Sequence, residues 1–285
     1  MAIKKKFSLG SFSLRLLLRI FLIAWGITVV YPLFWMVISS FKSSVEFYLD
    51  PWTLPQSLMW ENYESAWVSS KFSEYFLNSA LVVTGSTALY LLMLTTTAYA
   101  IGKYKFRLQK PIEIFYFFAM MIPTILLTIP LYFMMFNLGL TDNRAALGAI
   151  YALQSLPGGL YLLIGFVKNI NNAFIEAAEI DGAGEWYIFT RVILPFVKPT
   201  VLYLAVVKIM STWNEYVLAL TYLRTESKFT VPIGVSYLTN TMEYRVDFGA
   251  MFAALTISVL PIFILFAVFQ KHILSGVDAG EGVKG

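Results

Sequence analysis

Near its N-terminus the chain contains a long apolar run without a charged residue. Residues 20–41 read IFLIAWGITVVYPLFWMVISSF, with no charged side chain between Arg19 and Lys42. A helix over this run is about 33 Å long at 1.5 Å per residue, which is enough to cross the hydrocarbon core of a bilayer. The run ends in Ser-Ser-Phe-Lys rather than in an A-x-A-like cleavage site, so we interpret it as a retained transmembrane helix.

Five further apolar runs follow, and the sequence therefore predicts an all-α integral membrane protein. We expect six transmembrane helices over residues 20–41, 75–102, 114–137, 145–167, 199–223 and 248–270. Of the 285 residues 58% are hydrophobic and 13% are charged, whereas soluble domains carry about 25% charged residues. Pro123 and Pro130 are each expected to interrupt the third span.

The distribution of Lys and Arg predicts the orientation of these spans. Basic residues are concentrated in residues 1–19, in the loop after the second span, in residues 168–198 and in residues 271–285. By the positive-inside rule both termini and the 168–198 loop are expected to be cytosolic. The aromatic-rich loop 42–74 then lies outside, where it either rests at the membrane interface or touches a partner.

The sequence offers no constellation for catalysis, metal binding or cofactor binding. It has no cysteine, one histidine and no phosphate-binding G-x-x-x-x-G-K-[ST] segment. We therefore predict no catalytic residue, no metal site and no cofactor bound by this chain. Because the excess of basic residues is explained by topology, nucleic acid is not expected as a partner.

The 168–198 loop is much longer than a connection between two spans requires. Residues 176–183 read EAAEIDGA, and we expect a short helix over residues 174–180 that Gly182 ends. Glu176 and Glu179 lie one turn apart on this helix, with small alanines between them. Small residues permit close approach of another protein, and the acidic pair can bind its Arg or Lys side chains.

This pattern, followed by Leu194-Pro195, resembles the EAA loop of binding-protein-dependent ABC importer permeases. Over nearly the whole chain the sequence is also similar to the shorter membrane subunit of maltose-type carbohydrate importers. The segments that carry this similarity are YPLFWM at 31–36, SFK at 40–42, WENY at 60–63, FLNS at 76–79, WNE at 213–215 and GVKG at 282–285.

The resemblance implies a type I ABC importer permease fold in a prokaryotic cell membrane. It implies as partners a second homologous permease, two cytosolic ATPase subunits that hold ATP and Mg, and an extracytoplasmic binding protein that delivers a carbohydrate. The residues expected to couple to the ATPases are Glu176, Ala177, Ala178, Glu179, Asp181, Gly182 and Ala183. The residues of the tail expected to contact them are Gly282, Val283, Lys284 and Gly285.

Charged residues within the fifth predicted span are candidates for the translocation pathway or its gate. Lys208 and Glu215 are seven residues apart, which places them two turns apart on one face of a helix, about 10 Å along its axis. With Asn214 they either line a wet pathway or extend toward an interface. The rival class is an ion-coupled secondary transporter, for which these two residues would be the only coupling candidates.

Overall fold

The computed structural model describes residues 9–241 and 247–281, and within them the regular structure is helical. The longer helices lie over or within the predicted spans, and most of the shorter ones connect them. The α-helices are α1 (Leu9–Ser39), α2 (Ser44–Leu49), α3 (Glu61–Glu64), α4 (Phe72–Lys103), α5 (Gln109–Met120), α6 (Thr128–Asn137), α7 (Arg144–Asn169), α8 (Ala173–Ile180), α9 (Glu185–Tyr187), α10 (Leu194–Trp213), α11 (Val217–Tyr222), α12 (Val231–Thr241) and α13 (Phe248–Glu281).

Five helical stretches of the described residues are long and apolar enough to cross a membrane, and a bent pair gives a sixth. The bent pair is the third predicted span, in which Gln109–Met120 and Thr124–Asn137 meet at 96°. The interruption that the sequence predicts within residues 114–137 is therefore present, as a sharp bend. Apolar composition predicts burial or lipid contact along this segment, but it does not predict the direction of the chain.

Only one of the two prolines, Pro123, causes the bend. Pro123 has extended backbone and precedes a 3₁₀ turn, Thr124–Leu127, so the α-helical hydrogen bonds stop there. Pro130 is the third residue of α6, where its missing N–H would have had no partner within the helix. The prediction that both prolines interrupt the span is thus wrong for Pro130.

The fifth predicted span also has different limits. Helical backbone begins at Glu185, passes through a π-helical turn, Ile188–Ile193, and continues to Trp213. Pro195 is the second residue of α10 and directly follows this π-helical turn, where the regular α-helical hydrogen-bond pattern is already interrupted. The helix then ends, residues 214–216 are not helical, and α11 begins at Val217. The predicted 168–198 loop is therefore partly helix that leads into the span.

The chain divides into two compact units. Residues 1–70 and 238–257 form the first unit, in which α1 is followed by the loop that contains α2 and α3. Asn62 organises this loop, because its Nδ2 donates to the backbone carbonyls of Ser40 at 2.9 Å and Lys42 at 2.8 Å.

Residues 71–237 and 258–285 form the second unit, whose core is built by α4, α7 and the helical stretch that ends in α10. Leu94 and Leu160 are fully buried at its centre. Gly159 permits the close packing of α7 on α4, because a Cβ at this position would collide with the Tyr90 hydroxyl and approach Leu94.

Candidate functional site

The predicted short helix of the 168–198 loop is present as α8, and its end has a Schellman motif. Gly182 has φ +78°, the left-handed conformation that glycine adopts without steric cost. Its N–H donates to the Glu179 carbonyl at 3.0 Å, and the Ala183 N–H donates to the Ala178 carbonyl at 2.9 Å. The glycine therefore ends the helix as the sequence predicts.

One face of the helix α8 packs against the rest of the second unit, and the other face is exposed. Ile175 and Ala178 are half-buried and pack against the core of the second unit. Glu176, Ala177 and Glu179 are exposed on the other side. Of the remaining predicted coupling residues, Asp181 and Gly182 are exposed and Ala183 is half-buried. The exposed face is thus acidic and small, with no competing partner inside the described part of the chain for Glu176 or Glu179.

Hydrogen bonds fasten the segment around α8 to the end of α4. Glu185 accepts from the hydroxyls of Tyr99 and Tyr104, the former at 3.1 Å. Burial and the hydrogen bond to Glu185 raise the pKa of Tyr104, so this hydroxyl stays a donor at physiological pH. Lys103 donates to Asn172 Oδ1 at 2.9 Å, directly before α8. These contacts tie the position of α8 to α4.

A second polar arrangement surrounds Lys208, which is only 4% exposed. Its Nζ donates to the Tyr151 carbonyl at 2.6 Å and to Ser155 Oγ at 2.9 Å. The ammonium also lies 5.6 Å from the Tyr151 ring centroid and 5.9 Å from that of Tyr90, within cation–π range. The Tyr151 hydroxyl donates to the Glu215 carboxylate. The structure thus brings Lys208 and Glu215 together through Tyr151.

Glu215 is held by the N-terminus of α11. Its carboxylate oxygens accept from the backbone N–H groups of Leu218 at 2.8 Å and Ala219 at 3.0 Å, where a negative charge is favoured. Because α10 ends at Trp213, Lys208 and Glu215 do not share one helix face, and that prediction is wrong. The carboxylate instead satisfies the free donors that the interrupted helix creates.

A cavity of about 240 Å³ lies beside this network. Its walls come from the bend after α5, from α7, from the end of α10 and from the start of α11. The lining residues are Thr124, Ile125, Thr128, Tyr151, Gln154, Ser155, Lys208, Ser211, Thr212, Glu215, Val217 and Leu218. A wall this polar, within the apolar spans of the chain, favours contact with water or a polar solute over contact with lipid.

Two polar atoms on the cavity wall have no hydrogen-bond partner within the described residues. They are Thr128 Oγ1 and Gln154 Nε2, and both are buried. Buried polar groups are normally hydrogen-bonded, so these two atoms are available to water or to the hydroxyl groups of a solute. Room for several water molecules is present, since one water takes about 30 Å³ in the liquid.

Asn214, the third predicted pathway residue, is not part of this cavity. It is exposed at the C-terminal end of α10, and its Nδ2 donates to the Met210 carbonyl at 2.8 Å. The sequence did not predict Tyr151, Gln154 and Thr128, which belong to the polar wall of the cavity. The one available signal was the polar Gln154-Ser155 pair within an otherwise apolar run.

Asp142 holds the connection between α6 and α7 against the segment that follows α11. Its carboxylate accepts from the backbone N–H groups of Arg224 at 2.9 Å and Thr225 at 3.1 Å, and from Lys228 Nζ at 2.8 Å. Burial raises the pKa of Asp142, but the hydrogen bonds from Lys228, Thr225 and the Arg224 backbone outweigh it. They hold the pKa of this carboxyl well below its usual range.

The predicted contact at residues 282–285 lies outside the described residues. The preceding residues of the predicted tail continue α13 as far as Glu281. Residues 276–281 are rich in glycine and small side chains, and alone they would not be expected to form a helix. As an extension of a long helix they need no new nucleation.

Comparison with known proteins identifies the family of the chain. Residues 94–278 match the family described as the inner membrane component of binding-protein-dependent transport systems. This range contains α8 and all the residues that line the polar cavity.

Two characterised relatives align over nearly their whole length. The diacetylchitobiose uptake system permease protein NgcG of Streptomyces coelicolor is 32% identical over 91% of this chain and 86% of its own. The maltodextrin transport system permease protein MdxG of Bacillus subtilis is 30% identical over 93% of this chain and 95% of its own.

A solved structure shares the fold. One chain of a bacterial ABC transporter that imports the acidic polysaccharide alginate superposes with a TM-score of 0.82, at 22% identity, over 94% of this chain and 99% of that chain. The prediction of an all-α ABC permease fold is thus confirmed, and the rival class of secondary transporter is not favoured. The chain is a multi-pass membrane protein and belongs to the family of inner membrane components of binding-protein-dependent ABC transport systems.

Proposed function

We propose that the chain is one of two permease subunits that together form the pathway of an ATP-driven sugar importer. The observation that carries the proposal is the full-length similarity to permeases named for diacetylchitobiose and maltodextrin transport. The substrate class is therefore a sugar or oligosaccharide, delivered by an extracytoplasmic binding protein. The second permease is a homologue of this chain.

The helix α8 is the element that transmits ATP hydrolysis to the spans. Its exposed face, with Glu176, Ala177 and Glu179, is the surface that an ATPase subunit would approach closely. Its other face is packed on the core, and Glu185 and Lys103 fasten its flanks to the end of α4. A displacement of α8 by the ATPase would thus move α4 with it.

The proposal also includes the ATPase partners and the orientation of the chain in the membrane. Two ATPase subunits bind ATP and Mg, and this chain contributes no ligand to either. Both termini, α8 and the tail 282–285 lie on the cytosolic side, where the Lys and Arg of the loops are concentrated. The tail makes a further contact with the ATPase dimer.

The polar cavity beside Lys208 lies on the translocation pathway. Sugar hydroxyls and water need hydrogen-bond partners in the membrane, and Thr128 and Gln154 offer unpaired ones. Lys208 and Glu215 hold the wall of the cavity in place through Tyr151. In this scheme they support the pathway, whereas Asn214 stands at its end.

The experiment is reconstitution of the whole transporter in liposomes that contain ATP. Radiolabelled maltotriose and diacetylchitobiose serve as first substrates, each with its candidate binding protein outside. We expect uptake that requires ATP and the binding protein and that persists after a protonophore collapses the proton gradient and in buffers without a sodium gradient. Uptake that needs an ion gradient and no ATPase would contradict the proposal.

A further inference from the structure

The loop after α1 exposes large apolar side chains that the proposed transport mechanism does not use. This loop, residues 44–60, is called here the aromatic loop. The exposed fractions are 79% for Tyr48, 78% for Leu49, 68% for Trp52 and 71% for Leu54. Several neighbouring apolar groups exposed together indicate an interaction surface rather than a solvated loop.

The aromatic loop folds back along the side of α1. The Trp52 ring lies 5.4 Å from the ring of Trp35 and stacks on Tyr31 at 6.4 Å, with 16° between the planes. The Trp35 Nε1 donates to the Pro51 carbonyl at 2.9 Å. Trp52 is therefore not beyond the end of the helix at Ser39 but beside its last turns.

The depth of this contact follows from helix geometry. Trp35 and Tyr31 precede Ser39 by about 6 and 12 Å along the axis. The charge-free run 20–41 is about 33 Å long, so its outer end lies within roughly 2 Å of the boundary of a hydrocarbon core of about 30 Å. Trp52, which lies beside Trp35 and Tyr31, is then on the hydrocarbon side of that boundary.

Several polar groups in and beside the aromatic loop are paired with one another, which lowers the cost of an apolar environment. Lys42 is fully buried, and its Nζ donates to the carbonyls of Asp50 at 3.1 Å and Pro51 at 3.2 Å. The Asp50 carboxylate accepts from the Trp52 N–H at 3.0 Å. The Glu46 carboxylate accepts from the Gln56 N–H at 2.7 Å. Pairing of this kind leaves the large apolar side chains as most of the exposed hydrophobic surface of the loop.

From these observations we propose that the aromatic loop is an interfacial element whose occupant is the lipid bilayer. Trp52 and Leu54 contact the upper acyl chains, and Tyr48 lies among the headgroups, where tyrosine and tryptophan are enriched in membrane proteins. Lipid is favoured over a protein partner because the large exposed apolar side chains of the loop continue the exposed apolar side of α1. The inference does not depend on which sugar is transported.

The test uses the absence of cysteine from this chain. Single nitroxide labels are attached at Leu49→Cys and Leu54→Cys, in the assembled transporter in phospholipid nanodiscs, with no other reactive cysteine in the complex. Ser69→Cys, an exposed residue of the same unit beyond the loop, is the matched control. Power-saturation spectroscopy then measures the accessibility of each label to oxygen, which partitions into lipid, and to a water-soluble nickel chelate.

We expect the labels at 49 and 54 to be more accessible to oxygen than to nickel, and the label at 69 to show the reverse. Low accessibility to both reagents at 49 and 54 would mean that protein covers the loop, and it would overturn the proposal. High nickel accessibility at both positions would mean that the loop is in water, and this too would overturn the proposal. The labels replace exposed side chains, so folding is not at risk in either variant.

Discussion

Lys208 on α10 and Glu215 before α11 are connected through one residue of α7, Tyr151. The Lys208 ammonium donates to the Tyr151 carbonyl at 2.6 Å, and the Tyr151 hydroxyl donates to the Glu215 carboxylate. Glu215 in turn accepts from the first free N–H groups of α11. The network therefore fixes the place where the fifth predicted span is interrupted.

The substitution Tyr151→Phe tests this role of the network. It leaves the hydrogen bond from Lys208 to the Tyr151 carbonyl and removes the hydroxyl that donates to Glu215, so a half-buried carboxylate loses a charge-assisted hydrogen bond. We expect a loss of about 1.5–3 kcal/mol of stability, measured as a lower apparent melting temperature of the purified transporter. Tyr161→Phe on the same helix is the control, because Tyr161 is 59% exposed. Equal melting of the two variants would contradict the role given to Tyr151.

The substitution Glu176→Lys tests the acidic face of α8. Glu176 is exposed, so the variant is expected to insert and fold like the wild type. Charge reversal at a close contact is expected to weaken ATPase binding by about 2–5 kcal/mol, with loss of sugar-stimulated ATP hydrolysis. Glu61→Lys, an exposed glutamate of the loop after α1, is the control and should retain both activities. If Glu176→Lys retained sugar-stimulated ATP hydrolysis, the proposal that this face of α8 contacts the ATPase would be wrong.

Substitutions of Gly182 distinguish two reasons for a glycine at this position, namely its backbone conformation and the space available to a side chain. Its φ of +78° disfavours side chains, yet a Cβ there meets nothing within 4 Å in this chain. Asparagine tolerates this conformation better than alanine does, and the difference is up to about 1–2 kcal/mol. We expect ATPase coupling to decline from wild type to Gly182→Asn to Gly182→Ala. If both variants lose coupling equally, the cause is space at the partner's surface rather than the Schellman turn.

Asp142 predicts a pH-dependent contribution to stability. Its pKa is depressed in the folded protein, so its contribution is complete above the unfolded value of about 3.9 and is lost as the pH falls below it. Asp142→Asn keeps a residue that tolerates the positive φ of 55° and removes the charge next to Lys228. We expect a lower apparent melting temperature than wild type at pH 7 and a difference that shrinks below about pH 4. A pH-independent difference would contradict the assigned cause.

The sequence predicts those parts of the fold that depend on local composition. The apolar runs predict the positions of α1, α4, α7 and α13 because each is long and nearly free of charge. Gly182 predicts the end of α8 because the left-handed turn is a property of that one residue. These features need no knowledge of distant contacts.

The places where the spans are interrupted could not be predicted in this way, because they depend on residues elsewhere in the chain. Pro130 reads as a helix breaker, but after the chain has turned at Pro123 it falls in a first turn and breaks nothing. Glu215 reads as a charge on a continuous helix, whereas its position depends on Tyr151, distant in sequence. The cavity wall joins Thr128, Gln154 and Lys208 from three helices, and no local pattern brings them together.

Water is expected to enter the polar cavity beside Lys208. Ser211 lies on its wall and is exposed, so a cysteine there should react with a charged, membrane-impermeant thiol reagent. Leu92 on α4 is also exposed, at 58%, but does not line the cavity, and a cysteine there is the matched control. We expect labelling at 211 to be several times faster than at 92 and to change when ATP binding or hydrolysis is blocked, because pathway access alternates between states. The chain has no cysteine of its own, so each variant reports one position. Equal rates at the two positions in every state would mean that the cavity faces lipid or protein, and Thr128 and Gln154 would then require partners from the second permease.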